Sequence, residues 1–124
     1  IGDYCDIASF VVINCSDSHK KTIGIANEIE RKDIIIGDHV YIGTQSFIGG
    51  GVHIGHHSVV GAGTIVRSGE YPPYSLIIGN PAVCKPGYYK KLIQTAEYNA
   101  FSGGGGDRRV AVSLAVQRRQ VLAV

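Results

Sequence analysis

Branched apolar residues recur every six positions through the middle of the chain. A glycine directly follows each of the first five, and a small or branched residue stands four places after each of them. Neither a helical period of 3.6 nor a strand period of 2 produces this pattern. It predicts a parallel β-helix, in which each hexad supplies one short strand and one corner and three hexads close a triangular coil. The side chains predicted to point inward are Ile36, Ile42, Ile48, Ile54, Val60 and Val66.

The same beat begins at the start of the chain and is then interrupted. Ile1, Ile7 and Ile13 are six residues apart, but the step from Ile13 to Ile36 is 23 residues, which is not a multiple of six. We therefore expect residues 14–35 to leave the coil as an excursion. Long loops in a compact repeat domain are often functional.

Beyond Val66 the pattern changes twice. Residues 70–75 contain two prolines and are expected to break the beat, and 76–79 are predicted to form one more short strand. The apolar spacing that follows predicts a helix over 88–101 that covers an open flank of the coils. We expect a β-helix domain at 1–87, this helix, and a glycine-rich linker with an atypical tail at 102–124. The predicted apolar face of the helix comprises Tyr89, Leu92, Ile93, Ala96 and Ala100.

Length and composition narrow the class of protein. The 124 residues predict one domain, and the net charge of +2 gives no argument for a nucleic-acid or membrane partner. No apolar run approaches the roughly 20 residues that span a bilayer. The cysteines are odd in number and lack the spacing of a metal site. This favours reduced thiols in a cytoplasmic protein, and we expect no metal. The chain starts in mid-pattern without methionine, so we expect an upstream segment.

Five runs of the repeat region carry a family resemblance: IGDHVYIG at 36–43, GVHIG at 51–55, VGAGTIV at 60–66, PPYS at 72–75 and GNPA at 79–82. With them, residues 36–85 resemble the hexapeptide-repeat acyltransferases, and most closely the bacterial sugar and polysaccharide O-acetyltransferases. The resemblance implies an all-β, left-handed parallel β-helix that works as a homotrimer, with acetyl-CoA bound in clefts between subunits. It also implies transfer of the acetyl group to a hydroxyl of a sugar or polysaccharide precursor.

Members of this family carry a histidine where the chain leaves the coil, and the resemblance therefore implies that His19 is the general base. A sugar hydroxyl must lose its proton as it attacks a thioester, and imidazole titrates near neutral pH. Asp17 is the candidate for orienting the imidazole ring through its other nitrogen. The alternative is that His19 is an ordinary loop histidine bonded to water.

The resemblance also implies a coenzyme contact along the coil. Thr44 and Ala62, which follow the hexad glycines Gly43 and Gly61, would offer backbone N–H groups to the pantetheine arm. These four residues are at the same time ordinary corner residues of the coil, and the two roles are compatible.

Three further side chains are candidates for the coenzyme. Tyr41 stands where the family usually has tryptophan; it either lines the cleft or packs on the surface. Arg67 and Lys85 are candidates for contacts with the CoA phosphates. The family usually has a cation directly after Asn-Pro-Ala, where this chain has Val83, and Thr-Lys where this chain has Arg67-Ser68.

The remaining histidines raise a rival hypothesis. His39 and His57 are eighteen residues apart and should stack in adjacent coils, as should Asp38 and His56. The gamma-class carbonic anhydrases, also trimeric β-helices, bind zinc through shared histidines, but the spacing of His53, His56 and His57 does not reproduce their pattern. Solvated corner positions are the simpler interpretation. A non-catalytic β-helix scaffold is a third alternative, and the sequence does not identify the acceptor.

Overall fold

A computed structural model of the protein describes residues 1–102, with side chains described through residue 96. Apart from Ser102, the predicted linker and tail (102–124) lie outside the described residues. Short strands dominate, and they are β1 (Asp6–Ile7), β2 (Val12–Asn14), β3 (Ser16–Asp17), β4 (Glu30–Arg31), β5 (Ile35–Ile36), β6 (Tyr41–Ile42), β7 (Phe47–Gly49), β8 (Val52–Ile54), β9 (Val59–Val60), β10 (Ile65–Val66), β11 (Gly69–Tyr71), β12 (Leu76–Gly79) and β13 (Ala82–Lys85). The helices are α1 (His19–Thr22) and α2 (Lys90–Ser102).

The strands form three parallel faces, as in the predicted parallel β-helix. Face A has the order β1-β6-β9-β12, with β13 added antiparallel at its edge. Face B contains β2, β7 and β10, and face C contains β5, β8 and β11. Successive strands of the chain fall on successive faces, so that each coil contributes one strand to each face. Strands β3 and β4 form a separate antiparallel pair in the excursion.

The register places like residues above one another inside the coil. Ile42 pairs with Val60 on face A, and Ile48 pairs with Val66 on face B. All six side chains predicted to point inward are at most 3% exposed, which confirms the six-residue beat. Burying each branched side chain contributes about 1.5–3 kcal/mol. The small positions between them are also buried, and they are Val40, Ser46, Val52, Ser58 and Thr64.

Residues 70–75 break the six-residue beat, as predicted, but the chain stays in the coil. Tyr71 pairs with Ile54 on face C. The two residues are seventeen positions apart in the sequence instead of eighteen, so this coil is one residue shorter than a regular coil. The prolines fall on a corner, where no ladder N–H is needed. Pro73 lies so close above Gly55 that a Cβ on this glycine would collide with the proline backbone. The chain therefore stays in the stack and merely skips one position.

The end of the described chain covers face A. The predicted strand at 76–79 is observed as β12, and β13 turns back to pair with it, which the sequence analysis did not predict. Helix α2 then lies over the outer side of face A. Tyr89 and Ile93 pack there against Val59 and Leu76. The helix thus shields apolar residues that face away from the coil interior.

Candidate functional site

The excursion at 14–35 leaves the coil at the corner between faces B and C, as predicted. Strand β3 runs outward, α1 forms the tip region, and β4 returns antiparallel to β3. The base is closed by the Lys32 backbone N–H, which donates to the Cys15 carbonyl over 2.9 Å. This corner therefore carries a small hairpin that stands away from the regular coil.

His19 is the first residue of α1 and is exposed. The backbone holds it in place, because the Ile23 N–H donates to the His19 carbonyl over 3.0 Å. The next residue, Lys20, reaches across to β4, and its Nζ lies 2.6 Å from Glu30 Oε1. The hydrogen bond and charge of Lys20 lower the pKa of Glu30, with smaller contributions from Lys32 and His19. Lys20 thus links the start of α1 to the acidic side chain on the returning strand.

A groove of about 240 Å³ separates the excursion from the coil. Its first wall is formed by Cys15, Asp17, Glu30 and Lys32 of the excursion. The opposite wall consists of Phe47, Gly49, Gly50, Val66, Arg67 and Ser68 on face B and the corner that follows it. Acidic and basic side chains therefore meet across a floor that is partly bare backbone.

The structure brings Asp17 and Arg67 together, although they are fifty residues apart in the sequence. His19 does not line this groove but lies two residues beyond Asp17. Among the hydrogen bonds within the described residues, none joins the Asp17 carboxylate to the His19 ring. The orienting role of Asp17 consequently stays a prediction, as does the catalytic role of His19.

The residues predicted to contact the pantetheine arm lie on a different corner, between faces A and B. Thr44 and Ala62 are exposed there in adjacent coils. The Gly43 N–H donates to Val60 O over 2.8 Å, and a Cβ on this glycine would lie only 2.5 Å from Ala62 N. Only a residue without a side chain allows this close approach of the two coils. Gly61 is fully buried on the same corner.

Tyr41 and Lys85 lie on face A, away from the groove. Tyr41 is half-buried and packs against the apolar cluster beneath α2. The Lys85 Nζ lies 5.6 Å from the centre of the Tyr88 ring, in a cation–π arrangement. Within one chain, neither residue approaches Asp17 or Arg67, and their coenzyme contacts remain predictions.

A column of stacked rings occupies the third corner, between faces C and A. The predicted stacking of His39 on His57 is observed, with ring centroids 4.7 Å apart. Tyr4 extends the column at one end, with its centroid 5.0 Å from that of His39. Tyr74 extends it at the other end, 5.1 Å from His57. All four residues have left-handed φ angles between 55° and 61°, so stacking offsets an unfavourable backbone geometry.

The remaining histidines have other partners. His56 Nδ1 lies 3.0 Å from His57 Nδ1, and His53 Nδ1 lies 2.7 Å from Glu70 Oε1 on face C. Among the side chains that the structure describes, those of residues 1–96, no three from histidine, cysteine or acidic residues are grouped so as to hold a metal ion. The histidine-rich corner thus has the geometry of a stacked surface column.

A comparison with curated proteins finds no match. Neither of the helices in the described part of the chain is long and apolar enough to cross a membrane.

Residues 33–68 match the family model described as "Bacterial transferase hexapeptide (six repeats)". Among solved structures, a variant of AntD, an N-acyltransferase from Bacillus cereus in complex with dTDP-4-amino-4,6-dideoxyglucose and coenzyme A, is 24% identical with a TM-score of 0.62. The match covers 84% of this chain and 59% of AntD, so the chain spans about three-fifths of the length of that protein.

Two further structures are similar over a smaller part of the chain. A hexapeptide-repeat acetyltransferase from Vibrio cholerae O1 biovar eltor, complexed with acetyl-CoA, is 26% identical with a TM-score of 0.51. This match covers 67% of the present chain and 56% of the Vibrio protein. The polySia-specific acetyltransferase NeuO is 27% identical with a TM-score of 0.50, over 70% of this chain and 48% of NeuO. Residues 33–68 of the present chain are hexapeptide repeats, and the chain has the left-handed parallel β-helix fold of the hexapeptide-repeat acyltransferases.

Proposed function

We propose that the protein is an acyltransferase that moves an acetyl group from acetyl-CoA to a hydroxyl of a sugar or polysaccharide precursor. The observation that carries this proposal is the position of the excursion, which holds His19 and Asp17 beside a groove of about 240 Å³ on a regular hexapeptide coil. Similar solved structures are of enzymes that bind CoA or acetyl-CoA. The groove is large enough for part of a sugar but not for a whole coenzyme.

The chemistry needs one base and no covalent enzyme intermediate. An unprotonated His19 nitrogen takes the proton of the acceptor hydroxyl as its oxygen attacks the thioester carbonyl. The tetrahedral intermediate then collapses, the carbon–sulfur bond breaks, and the imidazolium returns the proton to the leaving thiolate. Imidazole suits this exchange because one ring nitrogen can accept a proton and then return it to the leaving group. Asp17, on the strand that leads into α1, is the nearest acidic residue in the sequence.

Acetyl-CoA would lie along the corner that carries Thr44 and Ala62. In one chain, this corner and the excursion lie at opposite edges of face B. The donor contacts and His19 of the same subunit are therefore apart from each other. A neighbouring subunit packed on face B would bring the two together. The proposal therefore includes a homotrimer with clefts between subunits.

Face B offers an apolar surface for such packing. Val12, Phe47 and Ile65 form an outward row across its three strands, in register with one another. Val12 is 51% exposed, and the other two are half-buried. Helix α2 covers face A but not this row, and apolar rows of this kind mark interfaces. A stable monomer in sedimentation at micromolar concentration would contradict the trimer.

The function is tested by titrating the protein with acetyl-CoA in a calorimeter and by following thiol release with neutral, acidic and amino sugars. We expect saturable acetyl-CoA binding and acceptor-dependent thiol release, with the acetyl group recovered on a sugar oxygen. Recovery on nitrogen would make the protein an N-acyltransferase. Absence of CoA binding would remove the enzyme proposal and leave a β-helix scaffold.

A further inference from the structure

We propose that the groove recognises its acceptor through an anionic group held between Lys32 and Arg67. The acceptor would then be an acidic or phosphorylated sugar, with a carboxylate or phosphate as the recognised group. This inference rests on the proposed function, because it assigns the groove to the acceptor. It differs from the sequence-based expectation, which gave Arg67 to the phosphates of CoA.

The floor between the two cations consists of glycine backbone against which neighbouring side chains lie. Gly49, Gly50 and Gly51 form the corner between faces B and C, which we call the glycine corner. The stem of Lys32 lies along it, because a Cβ on Gly50 would be 3.3 Å from Lys32 Cβ and one on Gly51 would be 3.4 Å from Lys32 Cδ. The glycine corner carries the Lys32 stem and the Ser68 side chain, and the open groove of about 240 Å³ beside it has room for a small charged group.

Arg67 stands on the next coil, directly above the glycine corner. Two contacts hold its backbone. Tyr71 Oη donates to the Arg67 carbonyl over 2.7 Å, and the neighbouring Ser68 Oγ lies 3.4 Å from the Gly51 carbonyl. This is the coil that is one residue short, so its corner is drawn tightly onto the coil below. Arg67 thus projects from a fixed point of the groove wall.

The groove lining carries two acids and two cations, and Lys20, which lies outside the lining, adds a third positive charge beside Glu30. Glu30 is engaged by Lys20 at 2.6 Å, which neutralises that pair. Lys32 and Arg67 take part in neither of the two ion pairs found within residues 1–96, whose side chains the structure describes. Against these two cations stands one further acid, Asp17, on the excursion wall. An anion beside Arg67 and Lys32 gains two charge-assisted contacts, whereas Asp17 remains available to a hydroxyl.

Within one chain, Arg67 lies with the candidate base and away from the predicted coenzyme contacts. Arg67 shares the groove with Asp17, two residues from His19, whereas Thr44 and Ala62 lie across face B. A group bound at Arg67 is therefore next to the candidate base of the same chain. Reacting hydroxyls, not CoA phosphates, need to be near that base.

The experiment measures binding of three probes to the full chain by calorimetry: methyl glucoside, glucuronate and glucose 6-phosphate. We expect at least one anionic sugar to bind about tenfold more tightly than the neutral one, since a charge-assisted contact has this magnitude. Comparison of glucuronate with glucose 6-phosphate, and competition by inorganic phosphate, distinguish a carboxylate from a phosphate as the recognised group.

Three variants locate the effect. Arg67→Gln and Lys32→Gln should each weaken binding of the preferred anionic sugar about tenfold and leave acetyl-CoA affinity unchanged. Lys21→Gln, which removes an exposed cation from the same excursion but not from the groove, is the matched control and should change neither. Circular dichroism verifies that each variant is folded.

Three results would overturn the inference: equal binding of neutral and anionic sugars, no binding of either anion by the unaltered protein, or a loss of CoA affinity alone in Arg67→Gln. The last result would indicate that Arg67 contacts the phosphates of CoA, as expected from the sequence. If the unaltered protein binds an anionic sugar through Lys32 and Arg67 but does not bind acetyl-CoA, the anion site stands and the acetyltransferase proposal fails.

Discussion

Lys20 Nζ lies 2.6 Å from Glu30 Oε1, and this pair ties the start of α1 to the strand that returns to the coil. Both side chains are substantially exposed, so the pair contributes little to global stability. Its position is more informative than its strength, because Lys20 directly follows His19. The pair restricts where α1, and with it the candidate base, can stand relative to the groove.

Breaking this pair should therefore loosen α1 without unfolding the β-helix. In Lys20→Gln we expect a thermal midpoint close to that of the unaltered protein and a few-fold faster exchange of the Ile23 amide, which donates to His19 O. Lys21→Gln is the control and should leave this exchange unchanged. Equal exchange rates in the two variants would show that the pair does not order the helix.

Acid should have the same local effect in the unaltered protein. Because the hydrogen bond and charge of Lys20 lower the pKa of Glu30, the pair is complete above the ordinary glutamate value of about 4.3 and is lost as the pH falls through the lower folded value. Amide exchange in α1, corrected for the intrinsic pH dependence, should rise only below this range. In Glu30→Gln the step should be absent.

His19 provides the direct test of the mechanism. Replacing His19 with Ala should leave acetyl-CoA affinity nearly unchanged, because the proposed donor contacts are backbone groups of Thr44 and Ala62. Acetyl transfer should fall by about a hundredfold or more, which is the usual contribution of a positioned base. The control is His53→Ala, which removes a histidine paired with Glu70 on face C. Normal transfer by the His19→Ala protein would refute the mechanism while leaving the fold assignment intact.

The repeating core could be predicted from the sequence because every inward position repeats the same steric demand. Each branched residue stacks on another of its kind, so the six-residue beat carries the geometry directly. The beat breaks at residues 70–75, as predicted, because Tyr71 replaces an aliphatic residue at the inward position and comes one residue early. The beat is then hidden, although the coil continues.

The candidate site could be predicted only in part. The break in the beat located the excursion that carries His19 and Asp17. The meeting of Asp17 with Arg67 depends on how the excursion folds back through β3 and β4, which no local pattern specifies. The ring column was found only at its centre, because His39 and His57 are eighteen residues apart, whereas Tyr4 and Tyr74 join it across the excursion and the shortened coil.

A matched pair on one strand tests the inward register. Ile36 is 3% exposed and its neighbour Ile35 is 54% exposed, although both belong to β5. Ile36→Ala should lower the free energy of unfolding by about 2–5 kcal/mol, because it leaves a cavity between stacked coils. Ile35→Ala should change it by no more than about 0.5 kcal/mol. Equal losses, measured by denaturant unfolding at one protein concentration, would contradict the register.

Two hexad glycines test the close approach of the coils. A Cβ on Gly43 would lie 2.5 Å from the backbone nitrogen of Ala62, whereas one on Gly61 would meet the Ile78 Cγ2 methyl at 2.7 Å. A side chain can move aside more readily than backbone in a stacked coil. We therefore expect Gly43→Ala to destabilise the protein by more than the roughly 1–3 kcal/mol typical of overpacking, and Gly61→Ala to stay within that range. Thermal unfolding of both variants measures the difference. A larger loss of stability in Gly61→Ala than in Gly43→Ala would show that the backbone at Ala62 moves aside more easily than the Ile78 side chain.

Tyr71 lies in the shortened coil and contacts Arg67 of the groove wall through its hydroxyl. Because the hydroxyl ionises at high pH, we expect this contact to be lost in alkali. Burial raises the pKa of Tyr71, with a smaller contribution from Cys84. A raised folded pKa means that the neutral phenol stabilises the fold below the ordinary tyrosine value of about 10, and that this stability is lost as the pH rises through the folded value. The phenol also donates to the Arg67 carbonyl over 2.7 Å.

Tyr71→Phe removes both the hydrogen bond and the titration. At pH 7 we expect the free energy of unfolding to fall by about 1 kcal/mol, the usual net contribution of one hydrogen bond. Above pH 10 the variant should lose less further stability than the unaltered protein, because one ionising group with a raised pKa is gone. Tyr4→Phe is the control, since Tyr4 is 82% exposed, and its alkaline curve should match that of the unaltered protein. If Tyr71→Phe and Tyr4→Phe give the same curve, the Tyr71 hydroxyl does not hold the corner that carries Arg67.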